Sequence, residues 1–308
     1  MIKYIKYNEI DTDKWDYCIL KSVNSLPYAY SWYLDIIHEE WAALVEGDYE
    51  RVMPIPVSKK YGITYCYQPF FAQQLGVFSK NEINPEIVDK FIDSIPKDIK
   101  VVNYNLNHFN TIDSKEYHIN NNNNYLLDLI SDYDKIYNSY STNTKRNLKK
   151  SNKNNLVKLK GVKPEDIIEL FRDNKGKDVG KWTEEHYLIL KRLMYVCIYK
   201  GVGVSYGIYS DSNELCTAAF FLKTPNRLVF LFSGNSMLGK ELGGMPFLID
   251  EIIKENSPGY RILDFEGSND PNLARFYKGF GAVKSVYQNI QINKLNTILK
   301  TLLKFTGR

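Results

Sequence analysis

The sequence has 308 residues, a formal net charge of +4 and a hydrophobic fraction of 44%, which predicts two domains, or one large one, with ample apolar residues for a core. No apolar run approaches the ~20 residues that a membrane-spanning helix needs, and the first residues lack the apolar stretch of a signal peptide. The four cysteines form no C-x-x-C pair and the four histidines form no H-E-x-x-H motif. We therefore expect a reduced, cytoplasmic protein without stable membrane insertion and without a metal site.

The first half of the chain alternates between predicted strands and helices. Helices are predicted at 12–21, 31–39 and 85–94, and strands at 2–7, 41–46, 51–57, 64–67 and 100–106. The asparagine run 120–124 follows, and together with the many Lys, Ile and Tyr residues it indicates a compositional bias before it indicates a function.

The middle of the chain carries the most unusual charge pattern. Nine basic residues and no acidic residue lie between Lys135 and Pro164, so the rest of the chain is net acidic. Residues 144–154 are predicted to be helical, with cations at three- and four-residue spacing along one broad face. Such a face could hold a phosphate-rich partner such as RNA, a nucleotide-linked precursor or an anionic headgroup. The alternative is a solvated helix whose cations complement the dipole at its C-terminal end.

The second half repeats the order of predicted elements found in the first half, at an offset near 160 residues. Trp41 corresponds to Val204, and Lys100 corresponds to Arg261. We therefore predict an internal duplication of an α/β (α+β) unit, built on an antiparallel meander with helices around it. The predicted domains are residues 1–130 and 131–308, with a basic linking helix at about 131–155 and a C-terminal helix at about 294–305.

A glycine-rich segment, Ser233–Gly244, follows the apolar strand 227–232 and precedes a helix that Pro246 is expected to open. A glycine loop that runs into a helix N-terminus can hold an anion, because its backbone N–H groups point outward where the helix dipole is positive. The alternative is a turn that binds nothing, since glycine loops are a weak signal. The next predicted elements are a strand at 261–265, a short helix at 272–278 and a strand at 285–292.

Two acidic residues, Asp264 and Glu266, come at the end of the predicted strand 261–265. On the alternating pattern of a strand they are expected to share one face, and the ends of strands are where open sheets tend to bind ligands. They are candidates to bind or deprotonate an amine. The alternative is that they accept hydrogen bonds from the N–H groups of the following loop.

Three segments resemble a known family of proteins. Residues 141–154 (STNTKRNLKKSNKN) resemble the basic helix that links the two halves of Fem-type proteins, which are tandem GNAT-fold peptidoglycan aminoacyl- and peptidyltransferases. Residues 264–268 (DFEGS) are similar to that family's aspartate-aromatic-x-glycine segment. Residues 272–282 (NLARFYKGFGA) resemble the GNAT helix with a tyrosine four residues before a glycine. The resemblance extends to related GNAT-family N-acetyltransferases and implies two GNAT-like mixed-sheet units in tandem, joined by the basic helix.

The resemblance implies transfer of an acyl group, acetyl or aminoacyl, to an amine. Tyr277 matches the position of the general acid in many GNAT enzymes, with Asp264 and Glu266 as further catalytic candidates. A core aromatic on a short helix is the alternative for Tyr277. The resemblance also suggests residues that bind the donor or the substrate's phosphates: Gly239, Lys240, Gly243 and Gly244 for the donor, and Lys145, Arg146, Lys149 and, more weakly, Trp182 for the substrate.

The donor stays open between two kinds of molecule. GNAT enzymes bind coenzyme A on a loop patterned Q/R-x-x-G-x-G/A, and this chain has Ser236-x-x-Gly239-x-Glu241 there, which lacks the first side chain and adds a carboxylate. Fem-type enzymes instead take an aminoacyl group from transfer RNA and act on a cell-wall precursor, and the basic helix would suit that donor. A third hypothesis is a catalytically inactive binding protein that keeps the fold. The oligomeric state is not predicted.

Overall fold

A computed structural model of the chain describes residues 1–113, 117–178, 182–259, 261–267 and 269–295. The described residues form a mixed α/β structure, as the sequence predicts. They divide into two compact units, one of Met1–Asn122 together with the segment that starts at Val286, and the other of Asn123–Ser285. Among the described residues, no helix has both the length and the apolarity to cross a bilayer.

Among its described residues, the first unit contains three α-helices, a four-stranded sheet and a second set of paired strands. Its helices are α1 (Thr12–Lys21), α2 (Ser31–Ile37) and α3 (Pro85–Asp93). Its strands are β1 (Ile2–Ile5), β2 (Ala42–Glu46), β3 (Arg51–Ile55), β4 (Val57–Lys60), β5 (Ile63–Tyr67), β6 (Phe78–Ser79), β7 (Ile99–Asn105) and the larger part of β14 (Val283–Asn293). One sheet has the order β1-β2-β3-β6, and a second set of paired strands has the order β4-β5-β7-β14.

Local sequence signals account for the helices of the first unit. The side chain of Asp11 accepts a hydrogen bond from the Lys14 amide at the start of α1, and the side chain of Asn84 does the same for Ile87 at the start of α3. Pro85 occupies the first helical position of α3, where its missing N–H group costs nothing. The apolar side of α3 is buried in the core of this unit.

The second unit contains seven α-helices within its described residues and a six-stranded sheet. Its helices are α4 (Tyr133–Ser139), α5 (Thr142–Ser151), α6 (Pro164–Arg172), α7 (Glu184–Tyr199), α8 (Met237–Leu242), α9 (Gly244–Asn256) and α10 (Pro271–Lys278). Its strands are β8 (His118–Asp128, of which the part from Asn123 belongs here), β9 (Val157–Lys160), β10 (Gly203–Tyr209), β11 (Leu215–Lys223), β12 (Arg227–Asn235) and β13 (Ile262–Asp264).

The sheet of the second unit has the order β8-β13-β12-β11-β10-β9. Strands β9 to β12 form an antiparallel meander, and β12 pairs in parallel with β13. Helix α9 packs on β10 and β11, whereas α6 packs on β11 and β12. Adjacent residues such as Phe220 and Phe221 point to opposite faces of β11, and both are fully buried, so helices cover the sheet on both faces.

The predicted duplication is confirmed at the level of architecture. In the first unit β5 is followed by α3 and then by β7, which pairs in parallel with β5. In the second unit β12 is followed by α9 and then by β13, which pairs in parallel with β12. The residues of β14 from Asn289 pair with β7 in the first unit, whereas the sequence assigned the whole C-terminal part of the chain to the second domain.

Several local predictions differ from the structure. The segment Ser233–Gly244 is not an open loop: β12 continues to Asn235, and Met237–Leu242 form helix α8. Helix α9 begins at Gly244 rather than at Pro246. The asparagine run belongs to strand β8. Ser268 and residues 296–305 of the predicted C-terminal helix lie outside the described residues.

Candidate functional site

The second unit encloses a cavity of about 710 Å³ between the end of β12 and the helices α5, α8, α9 and α10. We call it the main cavity. Strand β12 contributes Phe230, Ser233 and Asn235, and the N-terminal turn of α9 contributes Met245 and Pro246. A strand end and a helix start thus converge on one concave site, which is where small molecules usually bind in proteins.

The wall of the main cavity is largely aromatic and apolar. Phe230, Phe276 and Tyr277 line it from β12 and α10, and Phe171 lines it from the end of α6. Phe276 and Tyr277 are in edge contact, with their ring centroids 5.8 Å apart. Such a surface favours binding of an apolar chain or ring of a ligand, because the contact removes apolar area from water.

Three lysines stand on the same lining: Lys150 from α5, Lys175 after α6, and Lys240 from α8. All three are exposed, as expected for cations at a rim. Two acidic residues, Glu241 and Asp270, also line the cavity. The combination of an apolar wall and three cations suits a ligand that has an anionic part and an uncharged part.

Tyr277 is the predicted catalytic residue that the structure places in this cavity. Only 6% of the side chain is exposed, and its ring stacks on Phe265 with centroids 4.6 Å apart. Burial raises the pKa of the Tyr277 phenol well above its ordinary value, and the carboxylates of Glu266 and Asp270 add to the effect. Because no described residue forms a hydrogen bond with the Tyr277 hydroxyl, this group is available to a bound molecule as a protonated donor.

The predicted donor-binding glycines lie beside Tyr277, but their backbone amides are not free. Ser236 caps α8, and its hydroxyl accepts a hydrogen bond of 3.0 Å from the Gly239 amide. The Gly243 amide donates to the carbonyl of Gly239. The expected loop of outward-pointing N–H groups is therefore replaced by a capped helical turn. In the first turn of α9, Pro246 has no N–H group and the Phe247 amide donates to the carbonyl of Gly243. This leaves at most the amides of Gly244 and Met245 for an anion.

The same glycines are required for close packing. A Cβ atom on Gly239 would lie 2.2 Å from the carbonyl oxygen of Cys216, and one on Gly244 would lie 2.2 Å from the Thr217 hydroxyl. Gly243 has a φ of +76° and ends α8 in the left-handed conformation, which favours glycine. These glycines thus bring α8 and α9 against β11 and set the shape of the cavity.

A second cavity, of about 930 Å³, adjoins the first. The two share four lining residues, which are Asn147, Pro246, Asn272 and Phe276. Its described lining includes the cations Arg275 and Lys278 and contains no acidic side chain. The two cavities are therefore adjacent, and the cations of the second favour an anionic group.

Helix α5 lines the two cavities with side chains other than the three predicted to bind phosphate, although Lys150 belongs to the predicted basic face. Asn143, Asn147 and Lys150, at four- and three-residue spacing, line them. The predicted phosphate-binding residues Lys145, Arg146 and Lys149 do not. Lys145 donates to the carbonyl of Asn138 at 2.9 Å, and Arg146 donates to the Asn143 side chain at 2.7 Å.

Asp264 is not on the lining of either cavity. Its side chain is 1% exposed and forms an ion pair with Arg227, which is 4% exposed. It also accepts hydrogen bonds of 2.9 Å from the Asn124 side chain and from the Glu266 amide. These partners account for the buried carboxylate without a substrate.

Glu266 does not share a strand face with Asp264, so that expectation is wrong. Strand β13 ends at Asp264, and Glu266 and Gly267 both have left-handed backbones, with φ values of +52° and +60°. The chain turns away from the sheet at this point. Trp182, the remaining predicted residue, packs between Phe171 and Phe232, with ring centroids 5.4 and 5.8 Å away.

The sequence did not single out Asn147, Phe230 or Phe276, and it indicated Lys150 only as a member of the basic face. Lys150 lay within the predicted basic helix, and its spacing of seven residues from Asn143 was a signal that could have placed both on one face. Nothing in the local sequence distinguishes Phe230 from the other aromatic residues of β12. In the part of the chain that the structure describes, no group of three His, Cys, Asp or Glu side chains is arranged to hold a metal ion.

Comparison with known proteins identifies the fold. No family model and no curated protein matches the sequence. Solved structures do match along nearly the whole chain. FemX matches with a TM-score of 0.67 and 13% identity over 96% of this chain and 99% of FemX. L-PGS from Bacillus licheniformis matches with a TM-score of 0.53 and 11% identity, covering 96% of each chain.

A tandem GNAT protein from the clavulanic acid biosynthesis pathway also matches, with a TM-score of 0.51 and 9% identity over 96% of this chain and 100% of that protein. At such identities the likeness concerns the fold alone. The chain has the Fem-like, tandem GNAT fold, which confirms the resemblance drawn from the sequence. The main cavity lies at the end of β12 and beside the first turn of α9, within the second of the two units.

Proposed function

We propose that this protein is an N-acyltransferase that binds an acyl donor in the main cavity of the second unit and transfers the acyl group to an amine. The observation that carries the proposal is the position of Tyr277. Its buried phenol lines the same cavity as Lys240 and the first turn of α9. The fold shared with a tandem GNAT protein and with FemX supports the reaction class.

The proposed role of Tyr277 is that of general acid. When an amine attacks the acyl carbon, the bond to the donor's thiolate or ribose oxygen breaks, and the departing group needs a proton. The Tyr277 phenol stays protonated at neutral pH because burial raises its pKa. It can therefore donate to the leaving group, and for the same reason it cannot act as the base that deprotonates the amine.

The base is proposed to be solvent or a carboxylate at the cavity rim rather than Asp264, which already accepts from Arg227 and Asn124. Glu241 and Asp270 are the acidic residues of the lining. Either could accept the amine's proton directly or through a water molecule. The acceptor amine would enter the main cavity from the side that these two carboxylates occupy.

The donor is proposed to carry phosphate. Lys150 and Lys240 suit an anionic group, and the aromatic wall suits an uncharged arm. Acyl-coenzyme A has both parts. The internal hydrogen bonds of Gly239 and Gly243 remove amides that a typical coenzyme A loop would offer, so the lysines would have the larger share of phosphate binding.

Aminoacyl-transfer RNA is the second candidate donor, and one observation favours it. Helix α5, the most basic element of the chain, lines both cavities with Asn147 or Lys150. The second cavity adds Arg275 and Lys278. A nucleic-acid donor would extend along these cations and bind in a salt-dependent way. The acceptor would then be a cell-wall precursor, as the resemblance to Fem-type proteins implies.

The test is an assay for acyl transfer with the full-length protein. Acetyl-coenzyme A is mixed with a panel of primary amines and release of free thiol is followed; in parallel, transfer from aminoacylated transfer RNA is followed with a labelled amino acid. We expect turnover with one of the two donors, and we expect Tyr277→Phe to lower that turnover by about 100-fold. Turnover that is unchanged in this variant would exclude the proposed acid. Binding of a donor without turnover would identify an inactive binding protein.

A further inference from the structure

The first unit carries a polar, aromatic surface on one face of the strands β5, β7 and β14. The opposite face of these strands is core: Cys66, Tyr104 and Ile290 are fully buried. The exposed face has tyrosines on β5 and amide side chains on β7 and β14. Half-buried sheets usually show mixed polar side chains on the solvent side, whereas this face presents tyrosine rings and amides, with the half-buried Val101 among them.

Three of these side chains form a row across the three strands. Tyr67 is the Cα partner of Asn103, and Asn103 is in turn the partner of Gln291. Since neighbouring strands lie about 4.8 Å apart, the row is about 10 Å long. We call Tyr67, Asn103 and Gln291 the tyrosine–amide row. All three side chains are exposed, and Tyr67 has 48% of its surface accessible.

A buried amide beside the row, on the same face, fixes its orientation: Asn289 is the Cα partner of Asn105, two residues along β14 from Gln291. The side-chain NH₂ of Asn289, which is 8% exposed, donates to the oxygens of both Asn103 and Asn105, at 2.7 and 2.8 Å. The oxygen of Asn289 accepts from the NH₂ of Gln291 at 3.1 Å. All the hydrogen-bonding capacity of the Asn289 NH₂ group is thus used inside the network, which holds both outer amides in place.

The two outer amides keep one polar atom each for a ligand. Among the described residues, the NH₂ group of Asn103 has no acceptor and the oxygen of Gln291 has no donor. The row therefore presents, in order, an aromatic ring, a hydrogen-bond donor and a hydrogen-bond acceptor. A second ring, that of Tyr65, lies 4.9 Å from Tyr67 between centroids. Neither tyrosine hydroxyl is engaged by a described residue.

We propose that the tyrosine–amide row is a binding site for a neutral saccharide. A pyranose has an apolar C–H face that stacks on an aromatic ring, and hydroxyl groups at its edge that both donate and accept. A planar amide pair satisfies two adjacent hydroxyls at once, one as donor and one as acceptor. The length of the row matches one or two sugar rings.

The row itself carries no charge, which favours a neutral ligand; the charged side chains of Lys6 and Lys59 line a cavity with Tyr65 and not with the row. A single-stranded nucleic acid also stacks on tyrosines, but it requires cations along its backbone. The members of the row and the supporting Asn105 and Asn289 are all uncharged side chains. A phosphorylated or carboxylated ligand would gain no ion pair from them. A neutral sugar needs no ion pair, since its recognition depends on stacking and hydrogen bonds.

The test uses the full-length protein and a set of neutral oligosaccharides, including maltotetraose, cellotetraose and chitotetraose, observed by saturation-transfer NMR and titrated by calorimetry. We expect at least one to bind with a dissociation constant in the millimolar range or tighter. Binding should weaken about 10-fold or more in Tyr67→Ala and should also weaken in Gln291→Ala. Tyr199→Ala is the matched control, because Tyr199 is an exposed tyrosine on α7 of the second unit.

Three results would overturn the proposal. One is a lack of binding across the whole set by wild-type protein. Another is binding that Tyr67→Ala leaves unchanged, or that Tyr199→Ala reduces equally. The third is that a single-stranded oligonucleotide, tested at low and moderate salt, binds at Tyr67 in place of the sugars. Tyr67→Phe keeps the ring and is expected to keep binding, which separates ring stacking from a loss of fold.

Discussion

At the scale of single residues, the phenol of Tyr277 carries the proposed chemistry. Its ring stacks on Phe265, so its position is set by packing rather than by hydrogen bonds to the hydroxyl. Tyr277→Phe therefore keeps the ring and its contacts and removes only the proton donor. A loss of turnover in this variant with unchanged stability separates the catalytic role from the core role that the sequence also allowed.

The raised pKa of Tyr277 predicts a particular pH dependence. A free tyrosine loses its proton near pH 10, whereas burial keeps the folded-state pKa of Tyr277 above that value. As pH rises from 7 to about 10, we expect kcat to increase to a plateau as the amine becomes neutral, and not to fall. The pH–rate profile measures this. A decline with a midpoint below about 10 that disappears in Tyr277→Phe would contradict the assignment.

The buried pair Arg227–Asp264 gives a stability prediction. Asp264→Asn removes the charge that balances Arg227, whose side chain is also buried, and breaking such a pair costs about 3–5 kcal/mol. Urea unfolding measures the change in the free energy of unfolding. Asp211→Asn, on an exposed turn, is the control and should change it by about 0.5 kcal/mol or less.

The double variant Arg227→Met, Asp264→Leu sharpens this test. Removing both charges should restore much of the lost stability, since no uncompensated buried charge remains. A single variant Asp264→Asn that is as stable as wild type would show that the carboxylate is not needed for the fold. In that case, the remaining reason to exclude Asp264 as the base would be that its side chain does not line the cavity.

At the scale of elements, the turn between α8 and α9 shapes the main cavity. Gly243 has a φ of +76°, and a Cβ atom there would lie 2.3 Å from the hydroxyl oxygen of Ser151 on α5. That hydroxyl donates to the Gly243 carbonyl at 3.0 Å. The left-handed backbone, the close approach and the hydrogen bond together tie α5 to the start of α9.

Gly243→Ala is expected to destabilise the protein by about 1–3 kcal/mol, from backbone strain and from the clash with Ser151. Thermal or urea unfolding measures the loss. In the background Ser151→Ala the same substitution should cost less, because the oxygen it meets is gone while the strained φ stays. An equal loss of stability in both backgrounds would show that the clash with Ser151 does not matter. A negligible loss in both would contradict the backbone strain as well as the clash.

The helix α8 shows what local sequence could have revealed. Ser236 is a favoured N-cap residue and Gly243 a favoured C-terminal residue, at the spacing of a short helix. The predicted glycine loop left both of these residues without a role as helix ends. The strand β8 is a different case: asparagine disfavours strands, yet the run 120–124 lies in one, where Asn124 is 1% exposed and donates to Asp264.

At the scale of the whole molecule, periodic patterns predicted the elements well. Helix α3 was expected at 85–94 and lies at Pro85–Asp93, and β2 was expected at 41–46 and lies at Ala42–Glu46. The repeated order of elements predicted the duplicated architecture for the same reason: it depends on local patterns. The pairing of β14 with β7 joins residues almost two hundred positions apart, and no local signal specifies it.

The site was predictable only in part. The tyrosine on α10 and the glycines before α9 came from short motifs, and the structure gathers Tyr277, Gly239, Lys240 and Gly243 around one cavity. The cations of α5 were predicted as a group, but which of them line the cavity depends on how the helix is rotated. That rotation is set by the burial of Thr144, Leu148 and Ser151. The lysines around these three residues do not indicate which side of the helix is buried.

The most direct test of the account is donor binding at the main cavity, measured by calorimetry with acetyl-coenzyme A and, separately, with aminoacylated transfer RNA at low and moderate salt. We predict that one of the two binds, and that Lys150→Glu weakens it by about 10-fold or more through loss and reversal of a cavity charge. Lys149→Glu, one residue away and off the lining, should have a much smaller effect. If neither donor binds, or if both variants behave alike, the main cavity is not an acyl-donor site.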